Sequence, residues 1–244
     1  MYDWPELRSE TDRIWETIAT HFKRAGFDAP NNLSKPESEW DYWRSSDLLF
    51  SQTCGYPYST ELVEQVELLG TPTFDIPGWS GTDYSSALVV RSDFDATNLE
   101  QCRSGTFAFN GRNSLSGYRC LSPLIGPPED WFAASVQSGG HRESARMVSR
   151  GEADIAAIDA QCWNLFGKFE PEAADRLIVL QWTPGLPGLP YITNNQWPSE
   201  QLANLRAALG DAVEQISAEN AAPYLGLAAV TVLNESAYQS IKLL

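Results

Sequence analysis

The sequence changes character at Phe107-Ala-Phe-Asn110-Gly-Arg-Asn113-Ser114-Leu115-Ser116-Gly117-Tyr118, where an apolar run ends and a polar turn follows. The apolar residues predict a buried strand over 106–110, and a helix is predicted over 116–124 after the turn. Free backbone N–H groups at the start of such a helix, together with two serine hydroxyls, are typical of an anion site. The same pattern also fits an ordinary serine N-cap with a second, idle serine.

Strand and helix patterns alternate around this stretch. Short apolar runs predict buried strands, and apolar residues at every third or fourth position predict helices. Such alternation indicates an α/β fold with doubly wound parallel sheets, whose ligands bind beyond the carboxyl ends of the strands. The predicted strands are 84–91, 131–136, 154–158 and Leu177–Trp182, and the predicted helices are Leu99–Cys102, His141–Arg150 and 160–168.

The ends of the chain add helices and a second set of strands. A helix is predicted over 7–22, because Pro5 suits its first turn and Gly26 its end. A long helix over 198–217 has aliphatic residues every three or four positions. Between these helices we predict a short amphipathic piece over 37–44, strands over 47–51, 66–73 and 191–193, and a small-residue loop over 52–57.

Composition argues against several function classes. The 244 residues carry 17 Lys and Arg against 32 Asp and Glu, a formal net charge of −15. That charge opposes binding to nucleic acid or to an anionic membrane surface. Apolar residues make up 43% of the chain, which is enough for a buried core. No apolar run approaches the ~20 residues of a membrane-spanning helix, so no membrane insertion is expected.

Cysteine usage argues against a metal protein. Cys54, Cys102, Cys120 and Cys162 are widely spaced, and with only two histidines they do not form a zinc-ligand pattern. No metal or other cofactor is therefore expected. Free buried thiols are favoured over a Cys102–Cys120 disulfide, which would require an exported chain.

Other predicted strand ends also carry polar side chains. His141 follows a Gly-Gly turn and begins a helix, where an imidazole can donate a hydrogen bond. Asp159 follows the strand over 154–158; it would face a protonated oxygen or an amine beside an anion, and it equally fits a helix N-cap. Thr53 and Tyr56, in the loop over 52–57, offer hydroxyl donors.

With these residues in place, the chain resembles the phosphate/phosphonate ABC-transporter substrate-binding proteins of the PhnD-like family. The resemblance runs from about residue 48 to about residue 213, and the motifs keep the family's order. The matching motifs are Ser51-Gln-Thr-Cys-Gly-Tyr-Pro57, Asn113-Ser-Leu-Ser-Gly-Tyr118, Ser138-Gly-Gly-His141, Gly151-Glu-Ala-Asp-Ile-Ala-Ala-Ile-Asp159 and Leu189-Pro-Tyr-Ile-Thr193.

The resemblance implies a type II periplasmic-binding fold, in which two α/β lobes are joined by two crossing strands. Lobe one would comprise 1–90 and 187–244, lobe two 91–186, and the ligand would lie in the cleft between them. A monomer would capture a small oxyanion by closure of the lobes, without catalysing a reaction. The ligand-binding residues that the resemblance implies are Ser114, Leu115, Ser116, His141, Asp159, Thr53, Tyr56 and Tyr84.

Two family features are not visible in this sequence. Family members usually begin with a strand ahead of a segment like 1–5, so either the start is truncated or the edge of lobe one is altered. An exported precursor also carries a signal peptide. We therefore expect the periplasm and an ABC permease partner if the chain is exported, and the cytoplasm otherwise.

Three functions remain open at this stage. The leading one is capture of phosphate, phosphonate or a related phosphorus oxyanion for uptake or sensing. On the same fold, Trp79 and Tyr84 could form an aromatic wall for a pyrimidine, a thiamine precursor or an organosulfonate. A thiol hydrolase would use Cys54 with His141 and Asp159, although no nucleophile-elbow pattern is present.

Overall fold

The computed structural model describes residues 2–34, 37–234 and 236–244. The strands are β1 (Ser51–Gln52), β2 (Val66–Phe74), β3 (Trp79–Ser80), β4 (Asp83–Tyr84), β5 (Ser86–Arg91), β6 (Thr106–Phe109), β7 (Ala134–Gln137), β8 (Ile155–Asp159), β9 (Leu177–Trp182), β10 (Leu186–Pro187), β11 (Tyr191–Asn194) and β12 (Leu227–Thr231). The α-helices are α1 (Arg8–Arg24), α2 (Glu39–Trp43), α3 (Gly55–Ser59), α4 (Ser122–Ile125), α5 (Pro128–Trp131), α6 (His141–Arg150), α7 (Ala160–Phe169), α8 (Pro171–Ala174), α9 (Ser199–Ala218) and α10 (Ser236–Gln239). Short 3-10 helices cover Pro5–Leu7, Leu99–Cys102, Arg119–Leu121 and Ser240–Leu243.

The chain divides into two compact units. Unit 1 comprises Met1–Asp75 and Pro187–Lys242, and unit 2 comprises Ile76–Leu186 with Leu243–Leu244. We placed the first boundary at residue 90, but β5 belongs to unit 2, because it pairs along its length with β8 and β9 of that unit. The chain returns to unit 1 between Leu186 and Pro187.

Unit 2 is built on a five-stranded sheet in the order β7-β6-β8-β5-β9. β6 runs parallel to β7 and to β8, whereas β5 runs antiparallel to β8 and β9. The prediction of parallel pairing therefore holds for β7, β6 and β8 and is wrong for β5 and β9. The core of the unit includes Leu88, Phe107 and Ile155, which are fully buried. Three parallel strands end at one edge of this sheet, and the candidate site lies there.

Helix α6 connects β7 to β8 and has the bounds that the sequence predicted. It starts after Gly140, whose backbone is extended, and its backbone turns left-handed at Gly151, where φ is 75°. Glycine suits that last position because it has no Cβ to collide with the preceding carbonyl. α6 packs against β8, β6, β5, α7 and α8, so its first residue is held firmly at the sheet edge.

Unit 1 contains a four-stranded sheet in the order β1-β11-β2-β12, and every neighbouring pair is antiparallel. α9 packs on β12 and on α1, and the long apolar stripe predicted for it is buried at Leu205 and Leu209. β1 lies at the edge of the sheet. A cavity of about 370 Å³ lies within unit 1, and its lining includes Trp15, Trp43, Phe50, Ser51 and Tyr191.

Several local predictions were wrong. The strand over 47–51 is reduced to β1, because the Leu48 carbonyl accepts hydrogen bonds from the backbone and side chain of Asn194 and from the Thr193 hydroxyl instead of continuing a ladder. The loop over 52–57 contains the start of α3 at Gly55. Trp131, which we placed in a strand, ends helix α5.

Candidate ligand-binding site

Polar side chains follow all three parallel strands of unit 2 at their carboxyl ends. β6 is followed by Asn110 and the loop that carries both serines, β7 by the turn before His141, and β8 ends on Asp159. Open α/β sheets bind their ligands at this kind of edge. The structure thus brings Ser116, His141 and Asp159 of the predicted residues into hydrogen-bonding contact, and it places Ser114 in the same loop as Ser116.

His141 is the centre of this cluster. Its Nε2 atom lies 2.9 Å from the Ser116 hydroxyl oxygen and 3.2 Å from Asn110 Nδ2. The backbone nitrogen of Asp159 lies 3.4 Å from its Nδ1 atom. Burial lowers the pKa of His141 to about 4, although a hydrogen bond with the Ala157 backbone opposes the shift. The imidazole is therefore neutral at physiological pH.

The loop over 110–118 differs from its prediction. No helix spans 116–124; the chain instead forms turns as far as Tyr118, then a single 3-10 turn and the four-residue helix α4. The loop is closed by hydrogen bonds from Arg119 N to the Ser114 carbonyl and from Cys120 N to the Leu115 carbonyl. These bonds hold the serines without a helix, so the expected contribution of a helix N-terminus at Ser114 is absent.

Gly117 makes room for Asn110. A Cβ atom at Gly117 would lie 2.0 Å from Asn110 Oδ1, so any larger residue there would displace the asparagine side chain. We missed Asn110 in the sequence because its role depends on this close approach, which no spacing rule reveals. Its one visible signal is its position directly after a buried strand.

The two serines are held in different ways. The Ser114 hydroxyl oxygen accepts a hydrogen bond of 3.0 Å from Gly117 N, whereas the Ser116 hydroxyl faces His141 and is buried. Leu115, between them, is fully buried, so its side chain anchors the loop in the core of unit 2. Any ligand contact by Leu115 would involve its backbone.

Asp159 caps the next helix. Its Oδ1 atom accepts hydrogen bonds from Gln161 N and Cys162 N, at 2.8 and 3.0 Å, as the N-cap of α7. Gln161, two residues further on, is fully buried, and neither atom of its amide has a hydrogen-bond partner among the described residues. Sequence reasoning missed Gln161, although its position just after a strand end was a usable signal.

Tyr84 belongs to the same edge of unit 2. It lies in β4, two residues before Ser86, whose backbone is paired opposite Asp159. Its ring is buried and lies 5.3 Å from that of Trp79, at an interplanar angle of 31°. We placed both Tyr84 and β5 in lobe one, and the structure assigns them to unit 2 because of their strand pairing.

The predicted unit 1 residues form a separate group. Thr53 is fully buried, its backbone N donates to the Pro190 carbonyl, and its hydroxyl has no partner among the described residues. Cys54 is the N-cap of α3, and Tyr56 lies within that helix. The Tyr56 carbonyl accepts hydrogen bonds from the hydroxyls of Ser59 and Thr60.

The cationic side chain nearest His141 in sequence is already paired. Arg142 binds Glu170, which also accepts two hydrogen bonds from Arg146. Hydroxyls, backbone amides and the N-terminal end of α6, a ten-residue helix, are the groups at this edge that could attract an anion. Neutral donors and helix termini were expected from the sequence, both after Ser114 and at the helix that begins with His141.

The described part of the chain shows no group of three or more His, Cys, Asp or Glu side chains that could hold a metal ion. None of the four cysteines, Cys102 and Cys120 included, forms a disulfide. Among the described residues, no helix combines the length and the apolar character that crossing a membrane requires.

Comparison with known families identifies this architecture. A family model described as "ABC transporter, phosphonate, periplasmic substrate-binding protein" matches residues 47–238. The chain belongs to this family. The family is one of transporter substrate-binding proteins, as the sequence motifs implied. No curated protein matches the chain.

Solved structures share the fold at low sequence identity. PhnD1 from Prochlorococcus marinus in complex with methylphosphonate has a TM-score of 0.74 and 15% identity, over 97% of this chain and 92% of that chain. The binding component PA3383 of an ABC phosphonate transporter from Pseudomonas aeruginosa has a TM-score of 0.72 and 18% identity, over 95% and 80%. XAC2383 from Xanthomonas citri, bound to ATP, has a TM-score of 0.72 and 17% identity, over 98% and 93%. The predicted type II periplasmic-binding fold is confirmed.

Proposed function

We propose that this protein binds a small phosphorus oxyanion, a phosphonate in the first place, at the sheet edge of unit 2. One observation carries the proposal: polar groups from the ends of β6, β7 and β8 converge on His141, next to the N-terminal end of α6. A tetrahedral anion needs donors from several directions, and three neighbouring strand ends supply them. The family match supports the same ligand class.

The strength of binding requires several contacts. A hydrogen bond contributes about 0.5–1.5 kcal/mol, or about 1.5–3 kcal/mol when one partner is charged. Micromolar binding corresponds to about 8 kcal/mol, so four or five contacts to a charged ligand are needed. Ser114, Ser116 and the first amides of α6 supply the core of that set, and His141 positions Ser116. Tyr84 and Asp159, also in unit 2, are the further contacts in this unit that the sequence predicted.

The biological role that follows is delivery of the bound solute to an ABC permease, with the protein acting in the periplasm as a monomer and without catalysis. The thiol hydrolase has less support, because the contact between Asp159 and His141 runs through a backbone nitrogen, and Oδ1 of the carboxylate caps α7. A substrate-binding protein needs neither a nucleophile nor a general base.

A second ligand class is favoured by one observation. The packed rings of Trp79 and Tyr84 offer an apolar surface beside the strand end that carries Asp159. An organic substituent on the anion, or a pyrimidine, would contact this surface. Loss of affinity in Ser116→Ala identifies the oxyanion as the main determinant, whereas loss only in Trp79→Ala identifies the ring or tail.

The decisive experiment is a thermal-shift screen followed by calorimetry. The ligands are methylphosphonate, phosphate, phosphite, sulfate and a thiamine precursor. A ligand present at 100 times its Kd adds about 2.7 kcal/mol to the free energy of unfolding, which raises the melting temperature by several degrees. We expect stabilisation by methylphosphonate and none by sulfate at equal concentration. Absence of a shift with every phosphorus oxyanion would contradict the proposal.

A further inference from the structure

The cavity in unit 1 shares no lining residue with the candidate site in unit 2. Its volume is about 370 Å³, and its lining comes from α1, α2, β1, β2, β11, β12 and the segments beside them. All the residues that line it belong to unit 1. Pockets that bind small molecules have volumes of about 300–1,000 Å³, so this cavity is large enough for a small ligand.

Aromatic rings form much of the cavity wall. Trp15 of α1 stacks on Phe50, with ring centroids 5.8 Å apart, and the centroid of Phe50 lies 5.0 Å from that of Tyr191. Tyr42 and Trp43 of α2 also line the cavity. Since these rings come from two helices and from the sheet, they offer a ligand aromatic surface on more than one side.

The indole N–H groups of this wall already have partners. Trp15 Nε1 donates to the Pro30 carbonyl at 3.2 Å, and Trp43 Nε1 donates to the Ser51 hydroxyl at 3.2 Å. These hydrogen bonds fix the two rings, so what the rings offer a ligand is their aromatic carbon surface. The face of an aromatic ring carries partial negative charge, and it therefore attracts cations as well as apolar groups.

The charged side chains of the lining are mostly acidic. The described residues that line the cavity include the carboxylates of Asp3, Asp12 and Glu39 and one guanidinium, that of Arg8. Arg8 lies 3.6 Å from Asp3 in an ion pair, whereas Asp12 and Glu39 form no ion pair with any described residue. The net charge of −15 adds to this local excess of negative charge. A cationic ligand is therefore favoured here over an anionic one.

Tyr191 adds a polar group to the aromatic wall. Its side chain lines the cavity and is 7% exposed, and its hydroxyl makes no hydrogen bond with a described residue. Burial raises the pKa of this phenol, so the hydroxyl is neutral and can accept a hydrogen bond from an N–H or O–H group. Polar groups in buried side chains normally have such a partner, and a ligand can supply it.

We propose that this cavity is a second binding site, for a small organic ammonium ion whose apolar substituents pack against the rings while Asp12 and Glu39 balance its charge. A neutral apolar molecule would gain nothing from the carboxylates, and a bare metal cation would gain little from the apolar wall. An alkylated ammonium ion uses both, because its positive charge is spread over methyl and methylene groups that can contact aromatic faces. The inference is independent of the phosphonate site, since it concerns other residues and a ligand of opposite charge.

The test compares a cation with its uncharged copy. Choline and 3,3-dimethyl-1-butanol have the same shape, and the nitrogen of the first is a carbon atom in the second. We would titrate the full chain with each by calorimetry at neutral pH and low salt, with ligand concentrations into the millimolar range. Choline should bind at least about tenfold more tightly than the alcohol, because only the cation gains from the carboxylates and the ring faces. Its affinity should fall when the salt concentration is raised to about 0.5 M.

A larger cation covers the possibility that choline underfills the cavity. Benzyltrimethylammonium has the same charged group and an aromatic substituent. Failure of both cations to bind would overturn the inference. Equal affinity of choline and its uncharged copy would also overturn it, because the site would then be apolar without selecting charge.

Matched variants locate the bound cation. Asp12→Asn and Glu39→Gln remove a charge and keep the shape of the lining, so each should weaken choline by about twofold to fivefold and leave methylphosphonate affinity unchanged. Glu16→Gln makes the same change of charge on α1 but does not line the cavity, so choline affinity should stay at the wild-type value. Tyr42→Leu keeps an apolar side chain and removes a ring, which should weaken choline by about threefold to tenfold and the alcohol much less. An equal loss in Glu16→Gln and Asp12→Asn would show a general effect of net charge and contradict the assigned site.

Discussion

Two loops of this protein follow strand ends, and they differ in whether their polar side chains have hydrogen-bond partners. In unit 2, the polar side chains of the loop over 110–118 have hydrogen-bond partners: Asn110 and Ser116 contact His141, and Ser114 accepts from Gly117 N. In unit 1, the segment after β1 buries the Thr53 hydroxyl with no partner among the described residues. The polar side chains of the first segment are thus satisfied, partly by His141 of α6, whereas the second segment carries an unmet hydrogen bond.

The difference indicates which part of a binding site is built in advance. A satisfied buried network keeps its geometry before any ligand arrives and adds to stability. A buried hydroxyl without a partner costs about 1–3 kcal/mol, which a ligand contact could recover. We therefore expect unit 2 to set the geometry of the oxyanion, and the unpartnered Thr53 hydroxyl to lower the stability of unit 1.

The largest losses of affinity and stability are expected at Gly117, where the Asn110 side chain approaches the backbone most closely. Gly117→Ala places a methyl group 2.0 Å from Asn110 Oδ1 and forces that side chain away from His141. We expect methylphosphonate affinity to fall by about 10- to 100-fold and the free energy of unfolding by about 1–3 kcal/mol. Calorimetry and urea unfolding measure the two effects.

Gly111 provides the matched control. A Cβ there would meet nothing within 4 Å, and its φ is not in the left-handed region. Gly111→Ala should leave both affinity and stability close to wild type. Equal damage in the two variants would show that the loop tolerates no alanine for reasons unrelated to Asn110.

The second effect concerns the neutral imidazole at the centre of the unit 2 network. The pKa of His141 is about 4 in the folded protein and 6.5 in an unfolded chain, so below pH 6.5 the unfolded state binds more protons. The stability that depends on this histidine is complete above pH 6.5 and is lost as pH falls towards 4, by about 2 kcal/mol at pH 5. Urea unfolding of wild type and His141→Gln at pH 7 and pH 5 measures it.

The variant should lose less stability than wild type on acidification. The other histidine, His21, lies on α1 and bonds Gln215, so His21→Gln serves as the control and should keep the wild-type loss. If His141→Gln and wild type respond identically to pH, the imidazole is not neutral in the folded state at pH 5.

A smaller effect is expected at Thr53 in unit 1, where the test is whether the free energy of unfolding rises or falls. Thr53→Val replaces an unpartnered hydroxyl by a methyl group of similar size. The free energy of unfolding should rise by about 1 kcal/mol. Urea unfolding of the variant and of wild type measures the change.

Thr193, also in unit 1, provides the matched control for Thr53. It is also fully buried, but its hydroxyl donates to the Leu48 carbonyl and accepts from Trp197 Nε1. Thr193→Val should therefore destabilise the protein by about 1–3 kcal/mol. A loss of stability in Thr53→Val as large as in Thr193→Val would show that the Thr53 hydroxyl is already satisfied.

The smallest effect is expected at Cys54. It is the partly exposed cysteine, whereas Cys102, Cys120 and Cys162 are buried, and burial raises the pKa of Cys102 to about 11. A thiol reagent should label one cysteine in the native protein and four after denaturation. Cys54→Ser should remove the native label without changing phosphonate affinity, and esterase turnover that disappears in this variant would revive the hydrolase.

The bounds of regular helices and strands could be predicted from the local sequence, whereas the contacts of the candidate site could not. The bounds of α6 and β9 were predicted from apolar spacing and glycine positions, because each has a clear periodic pattern. The helix predicted over 116–124 was wrong, since the bonds from Arg119 N and Cys120 N to the loop carbonyls satisfy the backbone in another way. Asn110 and Gln161 were missed because their roles depend on which neighbours surround them.

Sequence was sufficient for the family, for elements with a clear pattern such as α6 and β9, and for the placement of hydroxyls and a histidine after strands, because these follow from short-range patterns along the chain. Tertiary structure alone decided which groups contact His141 and left the buried polar atoms of Thr53 and Gln161 without a partner among the described residues. The physical reason is that hydrogen bonding depends on distances of about 3 Å between residues far apart in the chain. Those distances are established only when the strands come together.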